Sequence, residues 1–429
     1  MSSPARSSFE HVTTLRPVEV ARPGVLDAAL APYLAIEVAA APSVELALVS
    51  GEDRLAVTYA AGGFSLTVTT GPQTTDHRSR RSGRAEADVE RVALTLTGTR
   101  LAVLAREAGT WVARGFVDLR DRLDTHDEAW LAGVRAEGGD LRGFGQLGLR
   151  DVRLVTRADG SPLTRDGVLL LSATCAGPGF FDTAHSSVWS LDPGRAELTH
   201  LSDVFFRRPD QAGAYGDHAA HLLRDGDDGG DRWLFATSTW GDFELHHKDA
   251  TVAATVAETG ADLLSGRHLL DTRPLALPTT GLTSVGVWDP QLVRTDDGWL
   301  AAYVSARKFF RFHPVVAAGP SLEDLALVGA APSLKETEGS TLVRRDGRWL
   351  LLASDGVGRR YPVWEVAHDG LVALDDLAAP YPSNIPWPTL VDHEGETWLI
   401  GFDGEPVGGR IVGYGTHGAL HLARRTTPA

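Results

Sequence analysis

The chain has 429 residues, with 56 acidic and 41 basic residues, a formal net charge of −15, and one cysteine, Cys175. The acidic balance disfavours a nucleic acid partner, because negative charges repel the phosphate backbone. A single cysteine excludes a disulfide within the chain. Residues 1–10 lack an apolar signal core and no segment approaches the length of a membrane span, so we expect no membrane partner and a cytoplasmic location. The composition leaves the oligomeric state open.

Short runs of alternating apolar and polar residues dominate the first part of the chain. They cover residues 33–38, 44–49, 54–59, 64–69, 91–97 and 101–105. Turn residues separate the runs, which is typical of antiparallel strands. We therefore predict an N-terminal β-sandwich over residues 1–117, followed by a connector with a short helix over residues 118–149.

One sequence unit recurs five times from residue 150 onward. Each copy opens with a polar, acidic or aromatic residue, continues as an apolar strand, turns at Asp and Gly, and ends in a second apolar strand. The copies open at Asp151, Asp217, Asp289, Glu338 and Trp387, which are 66, 72, 49 and 49 residues apart. One four-stranded blade per unit fits this period, so the all-β chain is predicted to continue as a five-bladed β-propeller over residues 150–429.

Four of the five opening residues are carboxylates. The first strand of a propeller blade lies nearest the axis, so we expect these four side chains to meet at the mouth of one funnel. Like charges in a partly desolvated site repel one another and raise a pKa, and proteins keep such clusters mainly at functional sites. Two carboxylates with separated pKa values suit glycosidic bond cleavage: one protonates the leaving oxygen, and the other activates water or attacks the sugar.

The order and spacing of three of these acids resemble the five-bladed glycoside hydrolases of family 43 and, more distantly, of family 32. The matching motifs are RDVRLV at Asp151, WDPQLV at Asp289 and TEGSTLV at Glu338, separated by 138 and 49 residues. The resemblance implies that Asp151 is the general base of an inverting enzyme or the nucleophile of a retaining one. It also implies that Glu338 is the general acid and that Asp289 tunes the pKa of that acid.

The sequence departs from the family pattern in three places. Val152 follows Asp151 where the family usually has proline, the opening YGDHAAH adds Asp217 and His218, and a sandwich precedes the propeller instead of following it. Three functions stay open. The first is a hydrolase, for which the resemblance favours furanosides such as arabinofuranosides or fructofuranosides. The second is an oligosaccharide transferase or phosphorylase, and the third is a sugar-binding propeller without catalysis.

Several other side chains are candidates for contact with an oligosaccharide or glycoside substrate. An indole at a blade opening either stacks on a sugar face or packs between blades. The predicted substrate-binding residues are Asp217, His218, Trp240, Trp288 and Trp387. The segment KFFRFHP, residues 308–314, is expected either to place an aromatic residue or His313 at the rim or to form a surface loop.

Three arginines and one histidine lie close to these motifs. Strand alternation predicts that Arg150 points away from the funnel. Of Arg359 and Arg360, which follow a Gly-rich turn, either one reaches a substrate hydroxyl or carboxylate or both are structural. Acid–base cleavage needs no cofactor, and no residue cluster has the spacing of zinc ligands. We therefore expect no cofactor and no metal, although the resemblance allows a structural calcium in the funnel, ordered by His417.

Overall fold

The computed structural model describes residues 8–226, 232–244, 246–247, 250–405 and 418–426. Two sheets near the N-terminus form a sandwich and twenty further strands form five blades, so the predicted all-β class, a β-sandwich followed by a five-bladed propeller, is confirmed. Across these ranges the helices are the α-helix Glu128–Gly133 and the 3-10 helix Phe181–Thr183. No helix in the described part of the chain is long and apolar enough to cross a membrane.

The sandwich consists of two sheets around one core that contains Tyr33, Phe64, Leu94 and Phe144. In spatial order, the first sheet consists of Thr110–Asp118, Arg100–Glu107, Val89–Thr97, Tyr33–Ala39, Arg142–Gln146 and Glu19–Ala21. The second consists of Arg135–Glu137, Ser43–Ser50, Asp53–Ala60, Gly63–Thr70 and Gln73–His77. Residues 135–146 thus extend the sandwich, although they were predicted to belong to a connector.

Each blade has four antiparallel strands that follow one another from the axis outward. Blade 1 consists of Leu149–Leu154, Val168–Cys175, His185–Asp192 and Glu197–Arg207, and blade 2 of His218–Asp225, Arg232–Ser238, Ala254–Thr259 and Gly266–Pro274. Blade 3 consists of Gly286–Thr295, Gly298–Lys308, Arg311–Gly319 and Ala326–Ala330, and blade 4 of Thr337–Arg345, Arg348–Asp355, Val363–Ala367 and Gly370–Ala373. Blade 5 consists of Thr389–His393, Glu396–Asp403, Ala419–Arg425 and Phe9–Leu15. Two short strands add to these blades: Thr156–Arg157 pairs with the inner strand of blade 2, and Thr164–Arg165 pairs with Val168–Cys175 of blade 1.

The inner strands form a ring. Each contacts the next from blade 1 to blade 4, and the inner strand of blade 5 contacts that of blade 1. The outermost strand of blade 5 comes from the N-terminal end of the chain, where Phe9 pairs with Arg425 and Leu15 with Leu420. The predicted domain boundary, which placed residues 1–117 wholly in the sandwich, is wrong for this strand. Its partner lies at the far end of the sequence, beyond the reach of any local pattern.

Candidate active site

A β-bulge interrupts the inner strand of four blades at the same level. The register shifts lie between Arg150 and Arg153, His218 and His221, Trp288 and Gln291, and Glu338 and Thr341. The first bulged residue has positive φ in each case: Asp151 (52°), Ala219 (58°), Asp289 (57°) and Gly339 (71°). A bulge re-aims side chains that strict alternation would send to opposite faces, so consecutive residues of one strand reach the same funnel.

These bulged strands surround a cavity of about 400 Å³ at the funnel mouth. Asp151, Asp289 and Glu338 line it together, from blades 1, 3 and 4. The other polar residues of the lining are Arg150, His218, Glu336, Arg359 and Asn384. The structure therefore brings the three predicted acids into one site. It also places Arg359 there, one of the two alternatives for that residue, and Arg150, which was predicted to point away from the funnel.

Asp151 is buried and held by its neighbours. The Arg150 Nε lies 3.3 Å from Asp151 Oδ2 and donates to it. Burial raises the pKa of the Asp151 carboxyl, while the charge of Arg150 and a hydrogen bond with Thr174 act in the opposite direction. Arg150 was predicted to point away from the funnel, and the bulge is the reason that it does not.

Asp289 is buried deeper than Asp151. It is 2% exposed, against 8% for Asp151. Burial raises the pKa of Asp289 well above its ordinary value, and the nearby carboxylates of Glu338 and Asp151 raise it further. Arg153 and the backbone of Gly339 oppose that rise. The Asp289 Oδ2 atom is buried without a hydrogen-bond partner among the described residues, so a hydroxyl group of a bound molecule would satisfy it.

Glu338 is the most exposed of the three acids, and its exposed part faces the cavity. Burial of the carboxyl, together with the charge of Asp151, raises its pKa to about 8. The indoles of Trp288 and Trp387 interact with the carboxylate and offset part of this rise. Because Asp289 and Glu338 repel one another as anions, we assign a proton to this pair at neutral pH.

Arg153 lies beneath the acids and ties four blades together. Its guanidinium donates to the backbone carbonyls of Asp289 (3.2 Å) and Ser340 (2.8 Å) and to Gln291 Oε1 (3.0 Å). It also lies 4.7 Å from the centre of the Trp387 ring. The sequence did not identify Arg153, because a charged residue within an apolar strand does not by itself indicate a position in the funnel.

Asp217, the fourth predicted funnel acid, does not line the cavity. It is fully buried, accepts two hydrogen bonds from Arg208 (2.9 and 2.5 Å), and accepts a third from the Gly241 N–H (3.0 Å). Ala219 takes the bulge position that corresponds to Asp151 and Asp289. The prediction that Asp217 binds substrate is therefore wrong, and its role is a buried ion pair.

The other four predicted substrate-binding residues all line the cavity. His218 is buried, its Nδ1 lies 3.0 Å from the Gly216 carbonyl, and burial keeps its pKa well below the ordinary value, so the ring is neutral. Trp240, Trp288 and Trp387 are 7%, 2% and 1% exposed. Because neighbours largely cover their faces, the indoles form walls of the cavity, which agrees with the packing alternative rather than with stacking on a sugar.

Aromatic residues that the sequence did not single out complete the lining. Phe180, Phe181 and Phe243 come from loops of blades 1 and 2. The segment at residues 308–314 contributes Phe309, Phe310 and Phe312, so it does reach the cavity. His313 of the same segment is buried and is not part of the lining.

Within the described ranges, a buried cluster of Cys175, His185 and Asp203 has the residue types of a metal site. Arg22 from the sandwich donates to Asp203 Oδ1 at 3.2 Å and approaches Cys175 Sγ at 3.5 Å. Burial raises the pKa of the Cys175 thiol to about 12, so it stays protonated. An arginine thus already balances the carboxylate, and we assign the cluster to the junction of sandwich and propeller. His417, the candidate calcium residue, lies outside the described residues.

No protein-family model matches the chain, and no curated protein matches it in sequence. Solved structures that are similar to it include the inulosucrase from Halalkalicoccus jeotgali bound to kestose, with 16% identity over 65% of this chain and 85% of that chain and a TM-score of 0.47. The GH43_1 enzyme from Xanthomonas citri complexed with xylotriose is 15% identical over 62% and 86%, with a TM-score of 0.43. The catalytic domain of the Coprinopsis cinerea GH62 α-L-arabinofuranosidase is 15% identical over 66% and 92%, also at 0.43. At identities and TM-scores this low, these likenesses bear on neither the activity nor the substrate of this chain.

Proposed function

We propose that this chain is a glycoside hydrolase that uses Asp151, Asp289 and Glu338 to cleave a glycosidic bond. The observation that supports it best is the convergence of three acids from three blades on one cavity with unlike surroundings. Pairs of carboxyl groups whose environments separate their pKa values are the usual acid and base of glycoside hydrolysis.

Glu338 is the proposed general acid. Its pKa of about 8 keeps the carboxyl protonated at neutral pH, and its partial exposure to the cavity allows contact with a glycosidic oxygen. As the C–O bond breaks, the proton moves from Glu338 to the leaving oxygen. A sugar with developing positive charge would gain from the acidic surroundings.

Asp151 is the proposed partner on the opposite side of the sugar. Arg150 and Thr174 favour its ionised form, which is the form that either removes a proton from water or attacks the anomeric carbon. Asp289 is proposed to hold a sugar hydroxyl with its unpaired Oδ2 and to tune the acid by sharing a proton with Glu338, since the two carboxyl groups repel one another as anions. A furanoside is the favoured substrate on the resemblance of the motifs.

The test is a panel of nitrophenyl arabinofuranosides, xylopyranosides and related glycosides, with a fructofuranoside such as sucrose or kestose assayed separately by released sugar. We expect hydrolysis of at least one member, and ¹H NMR of the first anomer formed then shows whether Asp151 acts as base or as nucleophile. Parallel reactions with inorganic phosphate or an excess of oligosaccharide separate hydrolysis from a phosphorylase or a transferase. Binding of sugars without turnover by the wild-type protein would leave only the sugar-binding propeller.

A further inference from the structure

The cavity is lined by two chemically different groups of residues. The carboxylates, Arg359 and Asn384 come from blades 1, 3, 4 and the loop before blade 5. The second group, the aromatic wall, consists of aromatic rings from blades 1 to 3. Its members are Phe180, Phe181, Trp240, Phe243, Trp288 and Phe309.

The rings of the aromatic wall form one continuous surface. The centre of Phe181 lies 4.2 Å from that of Phe180 and 4.6 Å from that of Trp240. Phe243 continues the surface at 4.9 Å from Trp240 and 4.8 Å from Phe309. Phe309 in turn lies parallel to Trp288, with 5° between the ring planes. These separations are those of favourable aromatic pairs.

The aromatic wall is not entirely buried in the protein core. Phe180, Phe181 and Phe309 keep part of their surface exposed, and all three line the cavity. A sugar ring can stack an apolar face on an aromatic ring, but the hydroxyl groups around its edge need hydrogen-bond partners, which the phenylalanine rings of this wall do not offer. An apolar group needs no such partner and gains from leaving water.

We propose that the aromatic wall is a binding site for an aromatic aglycone, so that the substrate class is a glycoside of a phenol-like or benzylic alcohol. This inference rests on the proposed function. The sugar would face Asp151 and Asp289, and the glycosidic oxygen would lie at Glu338. The aglycone would pack against Phe181 and Phe309, whose rings are both held by Phe243.

The test compares benzyl and methyl arabinofuranosides, because both leaving groups are alkoxides and differ mainly in apolar surface. We expect the KM of the benzyl glycoside to be about tenfold lower or better, since a phenyl ring leaves water on binding. Phe309→Ala and Phe243→Ala should each raise the benzyl KM by about threefold to tenfold and leave the methyl KM within about twofold. Val372→Ala, on the exposed outer strand of blade 4, is the control and should change neither.

Equal KM values for the two glycosides, or equal effects of the variants on both, would overturn the aglycone site and leave the hydrolase intact. If neither glycoside is cleaved, calorimetric titration with benzyl alcohol alone still decides. Binding that Phe309→Ala weakens by about threefold or more supports the aromatic site. Absence of binding, or binding that the variant does not change, rejects it.

Discussion

Gly339 lies directly against the indole of Trp387. A Cβ atom on Gly339 would stand 2.5 Å from Trp387 Cγ and 2.9 Å from Trp387 Cβ, and the backbone φ of +71° is in the left-handed region. Only glycine satisfies both conditions. The Glu-Gly pair of blade 4 therefore has a physical reason: the glycine lets Trp387 pack close to the strand that carries Glu338, where the indole interacts with the carboxyl.

Gly339→Ala should displace Trp387 and, with it, the carboxyl of Glu338. We expect kcat/KM to fall by about tenfold to a hundredfold, since small displacements of a catalytic group are costly, and stability to fall by about 2–4 kcal/mol. Gly347→Ala is the matched control, because Gly347 has a φ of +78° in the same blade but no atom within 4 Å of the added methyl. It should cost about 1 kcal/mol and leave kcat/KM unchanged. Similar activities of the two variants would contradict this role of the glycine.

Glu338 is expected to weaken the fold as the pH rises. Its folded pKa is about 8, above the ordinary value of 4.5, so the folded protein holds a proton that the unfolded chain has lost. The stability that this proton contributes is complete below about pH 4.5 and is lost as the pH rises to about 8. Glu338→Gln has no charge to desolvate. The free energy of unfolding of this variant, relative to that of the wild type, should therefore increase by about 2–5 kcal/mol from pH 5 to pH 9. Urea unfolding at both pH values measures this, and a difference independent of pH would contradict it.

Phe9 should anchor the closing strand of blade 5. Its side chain is 2% exposed and packs with Leu352 of blade 4 and Leu399 of blade 5. Phe9→Ala is expected to cost about 3–5 kcal/mol, because the cavity left in the core is not refilled. Val12→Ala, in the same strand but 43% exposed, should change the free energy of unfolding by less than about 0.5 kcal/mol. Equal losses, or none, in thermal or urea unfolding would show that this strand does not close the ring.

Arg120 connects the sandwich to two loops that carry cavity residues. It donates to Asp182 at 3.2 Å and also pairs with Glu244, and these acids directly follow Phe181 and Phe243. Arg120→Ala should therefore raise the KM of the benzyl glycoside by about threefold to tenfold while its kcat stays within about twofold, which is the signature of a lost binding contact. Arg122→Ala, which removes a contact with Thr75 inside the sandwich, should leave both constants unchanged. A fall in kcat without a change in KM would contradict this positioning role.

Hairpin chemistry made the blades predictable. Asp346 and Gly347 form a two-residue turn between Arg345 and Arg348 with φ values of 51° and 78°, as the turn favoured by Asp-Gly requires. Turns of this kind recur in other blades, so the repeat could be recognised from the local sequence. It also brought Asp151, Asp289 and Glu338 to one level, because each lies at the start of an inner strand.

Features that depend on distant contacts were not predictable. Strand alternation predicted that Arg150 points away from the funnel, whereas the bulge beside it turns the side chain inward. Asp217 opens its unit like the other acids, but a salt bridge with Arg208, nine residues earlier in the chain, takes it out of the cavity. Phe9–Leu15 offered one deeply buried apolar residue, and only its pairing with Ala419–Arg425 identifies it as a blade strand.

The central claim, that Glu338 protonates a glycosidic oxygen in this funnel, is tested most directly by the hydrolysis of an unactivated glycoside, such as methyl arabinofuranoside, by wild type and Glu338→Gln. A general acid matters most when the leaving group is poor, so kcat/KM should fall by about 10²–10⁴-fold. The wild-type rate should also decline above about pH 8, as Glu338 loses its proton. A variant that retains the wild-type rate and pH profile would contradict the claim.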